Sequence, residues 1–135
     1  MKDKILYIII IVLCLVFLLW NFIGSSKKTI TYEYNTEEYS HVCSDYDLDD
    51  KGLFYDENLD KYFITLGLKS SGGYSIDIEK IDIDKDGNVS IVVLEKEPPD
   101  DAIVTMALTC PTIDISFSEK PKSITVSNTL GEQYK

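Results

Sequence analysis

Leu66-Gly67-Leu68-Lys69-Ser70-Ser71-Gly72-Gly73-Tyr74-Ser75-Ile76 joins two runs of alternating side chains. Before it, Tyr62, Ile64, Leu66 and Leu68 share one parity, with Phe63 and Thr65 on the other. After it, Tyr74, Ile76 and Ile78 alternate with Ser75 and Asp77. A period of two marks a strand with one buried face, and glycine alone takes positive φ without a Cβ penalty. The Gly72-Gly73 pair therefore predicts a tight reversal, with Gly73 at positive φ and Tyr74 delivered to the core. Ile81 and Ile83 fall on the parity opposite to Ile76 and Ile78, which places a β-bulge near Glu79 and Lys80.

Working outward, Asp84-Lys85-Asp86-Gly87-Asn88 has the residues of a hairpin turn. Residues 89–94 are almost continuously apolar and read as its return strand, central in a sheet and covered on much of both faces. Pro98-Pro99 interrupts the ladder, because proline has no N–H to donate. Alternation resumes over 102–109, over 113–117 and over 123–127. On the N-terminal side, Ile30, Tyr32 and Tyr34 alternate with Thr31 and Glu33 in a first strand. Residues 35–39 carry no decisive signal. Asp45, Asp47, Asp49 and Asp50 mark an acidic loop, and 54–61 reads as a short helix or an irregular connector. About seven strands and almost no helix give an all-β class: a small antiparallel β-sandwich or partly open barrel behind one N-terminal transmembrane helix.

That helix is residues 5–23, nineteen residues with Asn21 alone strongly polar. At ~1.5 Å per residue it spans roughly 28 Å, close to the hydrocarbon thickness of a bilayer. The run exceeds the usual length of a cleaved apolar segment, so a retained signal anchor is favoured. Lys2 and Lys4 at one end nearly balance Lys27 and Lys28 at the other. The short N-terminal tail and the β-patterned remainder favour an N-terminus inside the cell membrane and an extracytoplasmic C-terminal part. The expected division is a cytoplasmic tail 1–4, the anchor 5–23, a linker and N-terminal part of the ectodomain 24–61, a β-domain 62–128 and a C-terminal tail 129–135. Within the third of these regions, 24–28 reads as a polar linker.

The chain carries a formal charge of −10, and 22 of its 23 carboxylates lie from Lys27 onward against 11 lysines. That sign repels phosphate backbones, so nucleic acid is excluded as a partner. The one histidine, His41, has no G-x-S-x-G elbow or comparable nucleophile to serve. Asp82, Asp84 and Asp86 begin like a calcium loop, but Val93 stands where such a loop needs a bidentate Glu. No catalytic residue, metal site or cofactor is assigned. A carboxylate-based hydrolase and a calcium-stabilised structural domain remain as the competing readings.

Gly67, Ser71, Gly72, Gly73, Tyr74 and Ile76, then the return strand with Glu95 and Pro98, then Thr109-Cys110-Pro111, together form a pattern that resembles the PrcB C-terminal domain family. The resemblance runs over about 62–126. It departs from the family pattern at Ser71, where Thr is usual, and at Thr112, where Tyr is common. The family is named for an accessory subunit of a bacterial surface protease complex. The resemblance thus implies an exported, non-catalytic domain that binds another envelope or surface protein. In that compartment Cys43 and Cys110 are the available disulfide pair, since Cys14 lies in the apolar span; two separate buried thiols are the other possibility.

Overall fold

The computed structural model describes residues 1–23 and 29–135, so the 24–28 linker lies outside the described residues. Helix α1 covers Lys2–Ile23, and its 22 residues reach ~33 Å at ~1.5 Å per residue. Its span Lys2–Trp20 is long and apolar enough to cross a membrane, and none of it is buried against protein.

The rest is two sheets among the described residues. β1 (Tyr32–Glu37), β6 (Thr112–Phe117), β3 (Lys61–Thr65) and β2 (Gly52–Asp56) lie side by side in that order, and β4 (Ser75–Ile83), β5 (Asn88–Lys96) and β7 (Ser123–Asn128) form the second sheet. One short helix, α2 (Val42–Asp45), lies between β1 and β2. No barrel closes, so the architecture is a β-sandwich.

The inner faces supply the main core. Ile64, Ile113 and Ile115 from the larger sheet meet Ile76, Val89, Ile91, Val93 and Val126 from the smaller one. Each such side chain, fully buried, is worth about 1.5–3 kcal/mol, and this cluster dominates the hydrophobic stabilisation. Phe63 is buried on the other face of β3, which alternation alone would leave to solvent. Phe54 stacks on it with ring centroids 5.0 Å apart, and Val42, Leu48, Cys43 and Cys110 cover the pair. The sulfurs of Cys43 and Cys110 are bonded, with Cα atoms 6.0 Å apart.

The β-bulge falls where the parity switch puts it, between Ile78 and Lys80. The 84–88 hairpin is held by the Asp84 carboxylate, which accepts from the amides of Asp86 (2.8 Å) and Asn88 (2.9 Å) and from the Asn88 side chain (2.8 Å). β5 is central, but its burial alternates: Val89, Ile91 and Val93 are buried and Ser90 is exposed. Several expectations need correction. β3 and β4 belong to different sheets, so the glycine stretch is a crossover between layers and not a hairpin. The smaller sheet is mixed, because β7 pairs parallel with β5. Residues 54–61 continue β2 into a hairpin with β3, its turn built on the Asp56 carboxylate, which accepts from the amides of Asn58 (2.8 Å) and Leu59 (3.2 Å). Residues 102–108 form no strand: a turn closes from the Ala102 amide to the Pro99 carbonyl, and only Thr109 makes a bridge, to Lys69.

β1 and β2 flank β6 and β3 within one sheet. Tyr134 is buried in the main core, its amide donates to the Val126 carbonyl, and the Lys135 carbonyl accepts from Leu53.

Candidate partner-binding site

The chain comes into the domain beside the Asp84–Asn88 turn. There the Thr31 carbonyl accepts from the Ser118 amide (2.9 Å), and the Lys122 amide donates to the Gly87 carbonyl (2.8 Å). β1 and β6 run from that end to the opposite one, where the crossover 66–75 meets the loop between β5 and β6. The contacts there are dense. Lys69 and Thr109 exchange backbone hydrogen bonds (2.8 and 2.9 Å), the Thr109 hydroxyl donates to the Ser71 carbonyl (2.8 Å), and the Gly72 amide donates to the Thr105 carbonyl (2.8 Å). The Gly73 amide donates to the Glu38 carboxylate (3.1 Å).

Glycine is required at two of these positions. Gly67 has φ +77°, and a Cβ there would fall on the Asp49 carbonyl and 2.7 Å from the Asp50 carbonyl carbon. Gly73 has φ +90°, and a Cβ would lie 2.8 Å from Pro98 Cβ and 3.1 Å from a Val104 methyl. Gly67, Ser71, Gly73, Pro98, Thr109 and Pro111 thus converge as a clamp, with the Pro111 carbonyl accepting from the Leu66 amide (3.0 Å). Ile76 stands apart from the clamp, in the main core. Tyr74 packs against that core, and the Lys69 ammonium sits 5.4 Å from its ring centroid.

Glu95 lies in a network that sequence reasoning missed. Its carboxylate accepts from the Tyr134 hydroxyl (2.5 Å), the Asn128 amide (3.2 Å) and the Lys51 ammonium (3.3 Å). Lys51 also reaches Glu132 at 2.6 Å. Burial, then the Glu95 carboxylate, push the Tyr134 phenol well above its ordinary value. The hydrogen bond from Lys51, then that from Asn128, hold the Glu132 carboxyl below its ordinary value. The available signal was Asn128-Thr129-Leu130-Gly131, a turn in which the Asn128 side-chain oxygen accepts from the amides of Leu130 (3.0 Å) and Glu132 (2.9 Å). Glu95 therefore ties the C-terminal segment to both sheets.

A shallow groove beside Tyr74 is lined by Asp49, Asp50, Glu95 and Glu97 with Lys51 and Lys69. Among the described residues no three His, Cys, Asp or Glu side chains gather to hold a metal ion. The clamp carries an outward-facing counterpart. Val104 turns inward onto Gly73, and its neighbours Ile103, Met106 and Leu108 turn out to solvent, Ile103 completely and Met106 to 87 %. Glu97, Asp100 and Asp101 stand at the base of the same loop. The loop thus offers apolar side chains to solvent, follows an acidic stretch in sequence, and is pinned through Thr105 and Thr109.

No curated protein and no solved structure matches the chain. A family match covers residues 62–118, from β3 through β6, and includes the crossover, the clamp and the apolar loop. This segment of the chain matches the PrcB C-terminal family.

Proposed function

We propose that this chain is a membrane-anchored accessory protein whose extracytoplasmic β-domain binds another envelope protein through the loop bearing Ile103, Met106 and Leu108. That loop carries the reading. Large apolar side chains mostly or wholly offered to water on a loop fixed by backbone hydrogen bonds are placed for contact, since the domain's own core has no use for them. The adjoining Glu97, Asp100 and Asp101 favour a partner surface that combines apolar with basic groups. Support for the location comes from the apolar helix α1 and from the Cys43–Cys110 bond, which belongs to an oxidising compartment. The family's link to a surface protease complex favours a protease or its substrate as the partner.

The test is co-purification of the full-length chain from native membranes under mild detergent, with Ile103→Asp and Met106→Asp combined. Both side chains are outside the core, so the melting temperature should hold within a few degrees. The protein retained by the parent should be lost from the variant. The same protein retained at equal yield by both would refute this docking surface.

A further inference from the structure

A sheet edge exposes unpaired N–H and C=O groups, and proteins blunt such edges with bulges, charges or covering segments. Three of the four edges here are treated in this way. β2 is met by the C-terminal segment, through Leu53 N–H to the Lys135 carbonyl (3.1 Å). β7 is met by the same segment, through Asn128 to Glu132 (2.9 Å) and Tyr134 to Val126 (2.9 Å). β4 is broken by the bulge between Ile78 and Lys80. β1 is different. Its six residues pair with β6 without a shift, all six are exposed, and among the described residues none pairs with its outer side.

The direction of its backbone groups follows from the register. The Ser118 amide donates to the Thr31 carbonyl, so Thr31, Glu33, Asn35 and Glu37 face β6. The N–H and C=O groups of Tyr32, Tyr34 and Thr36 therefore face outward. The same alternation continues across the sheet and correctly turns the Leu66 amide toward Pro111 and the Leu53 amide toward Lys135. β1 contains no proline, lysine or bulge to obstruct a newcomer.

We infer that the free edge of β1 accepts an extended, basic segment of a partner protein as a fifth strand of the larger sheet. The side chains state what kind of segment fits. Tyr32 and Tyr34 share a face with Phe117, Tyr62 and Tyr55 in a row of contacting rings, with centroids 6.5 Å apart at Tyr32–Phe117 and 5.8 Å at Tyr62–Phe117. Glu33 and Glu37 project on the opposite face. An added strand alternates its side chains in the same way, so apolar residues would lie beside the tyrosines and lysine or arginine beside the glutamates. A second copy of β1 is the wrong occupant: it would bring four glutamates onto one face, where Lys61 is already paired with Asp114 (2.6 Å), in a chain of net charge −10. The inference is independent of docking by the 103–108 loop, because β1 lies outside the matched segment 62–118.

The experiment uses the full-length chain in detergent micelles and two synthetic octapeptides, one alternating valine with lysine and one alternating valine with glutamate. Residue-resolved amide exchange is the readout. The lysine peptide should slow the amides of Tyr32, Tyr34 and Thr36 by about tenfold or more, and leave those of Ile81 and Ile83 on the β4 edge unchanged. Tyr34→Pro removes one outward N–H and no bond to β6, so it should keep the melting temperature and abolish this protection. If Tyr34→Pro unfolds the domain, Glu33→Lys combined with Glu37→Lys serves instead, and should transfer the protection to the glutamate peptide. No slowing with the lysine peptide would overturn the proposal, and equal slowing by both peptides would overturn its charge requirement. Self-association of the parent abolished by Tyr34→Pro would make a second copy the occupant and overturn the partner assignment. Loss of the native partner through the Ile103 and Met106 changes, with peptide protection intact, would separate the two surfaces.

Discussion

Three glycines at nearly the same φ allow backbone strain to be separated from steric exclusion. Gly67, Gly73 and Gly131 have φ of +77°, +90° and +86°, so alanine at each incurs a similar left-handed penalty of about 1–2 kcal/mol. Part of this is offset by the reduced entropy of the unfolded chain, roughly 0.4–1 kcal/mol. The sites then diverge. At Gly131 nothing lies within 4 Å of the new Cβ, so Gly131→Ala should cost only about 1 kcal/mol. At Gly73 the Cβ meets the Pro98 ring at 2.8 Å and a Val104 methyl at 3.1 Å, and both belong to a loop that can yield. Overpacking of that kind adds about 1–3 kcal/mol, and Gly73→Val should cost more than Gly73→Ala and shift Tyr74. At Gly67 the obstruction is the backbone of Asp49 and Asp50, with no side chain to rotate away. Gly67→Ala should therefore be the worst, at about 3–5 kcal/mol. Urea unfolding followed by far-ultraviolet dichroism would rank the three midpoints, with the slope checked for constancy. Equal losses at Gly67 and Gly131 would refute the close approach of Asp49 to the crossover.

Stability should also be bounded on both sides in pH. The Tyr46 hydroxyl holds the Asp56 carboxyl low, Asn88 does so for Asp84, and Lys51 for Glu132. A depressed carboxyl contributes stability that is present above its unfolded value and lost as pH falls through the folded one, so the melting temperature should drop below about pH 4.5. Lys51 and Tyr134 are raised, the first chiefly by Glu132 and the second chiefly by burial. Their contributions are complete below their unfolded values and fade as pH climbs above about 10. A dichroism melt at intervals across this range checks the plateau, and a fall of several degrees between pH 7 and 6 would contradict it. Cys43 and Cys110 are 67 positions apart, and by the chain-entropy argument their bond is worth roughly 4 kcal/mol. Reduction should lower the denaturant midpoint accordingly, and peptide mapping without reductant should recover the two cysteines joined; free, alkylatable thiols at both would refute the pairing.

The readability of the chain follows the range of the forces involved. Ile78, Ile81 and the Asp84-to-Asn88 turn are local patterns, and the bulge and hairpin were accessible from period and turn chemistry alone. Which sheet a strand joins is decided by remote surfaces, and this hid the crossover at Gly72 and Gly73 and the parallel pairing of β7. Residues 102–108 alternate like a strand, yet their alternation separates an inward Val104 from outward Ile103 and Met106 on a loop. Alternation records which side chains face water and not whether the backbone has a partner. At the clamp, Gly67, Pro98 and Thr109 could be singled out in sequence, but Lys51, Asn128 and Tyr134 could not be joined to Glu95, because nothing local connects them.

The outermost strand of the larger sheet also imposes an order of events on folding. Thr31 and Ser118 are 87 positions apart, and Lys51 and Glu132 are 81 apart. β1 precedes β6, its one strand neighbour among the described residues, by almost the whole domain, whereas β4 and β5 are joined by a short turn and can form early. Pairings of such long range fold slowly. Until then β1 lacks the strand with which it pairs. When β6 arrives, one side of β1 is satisfied and the other remains as it was during synthesis.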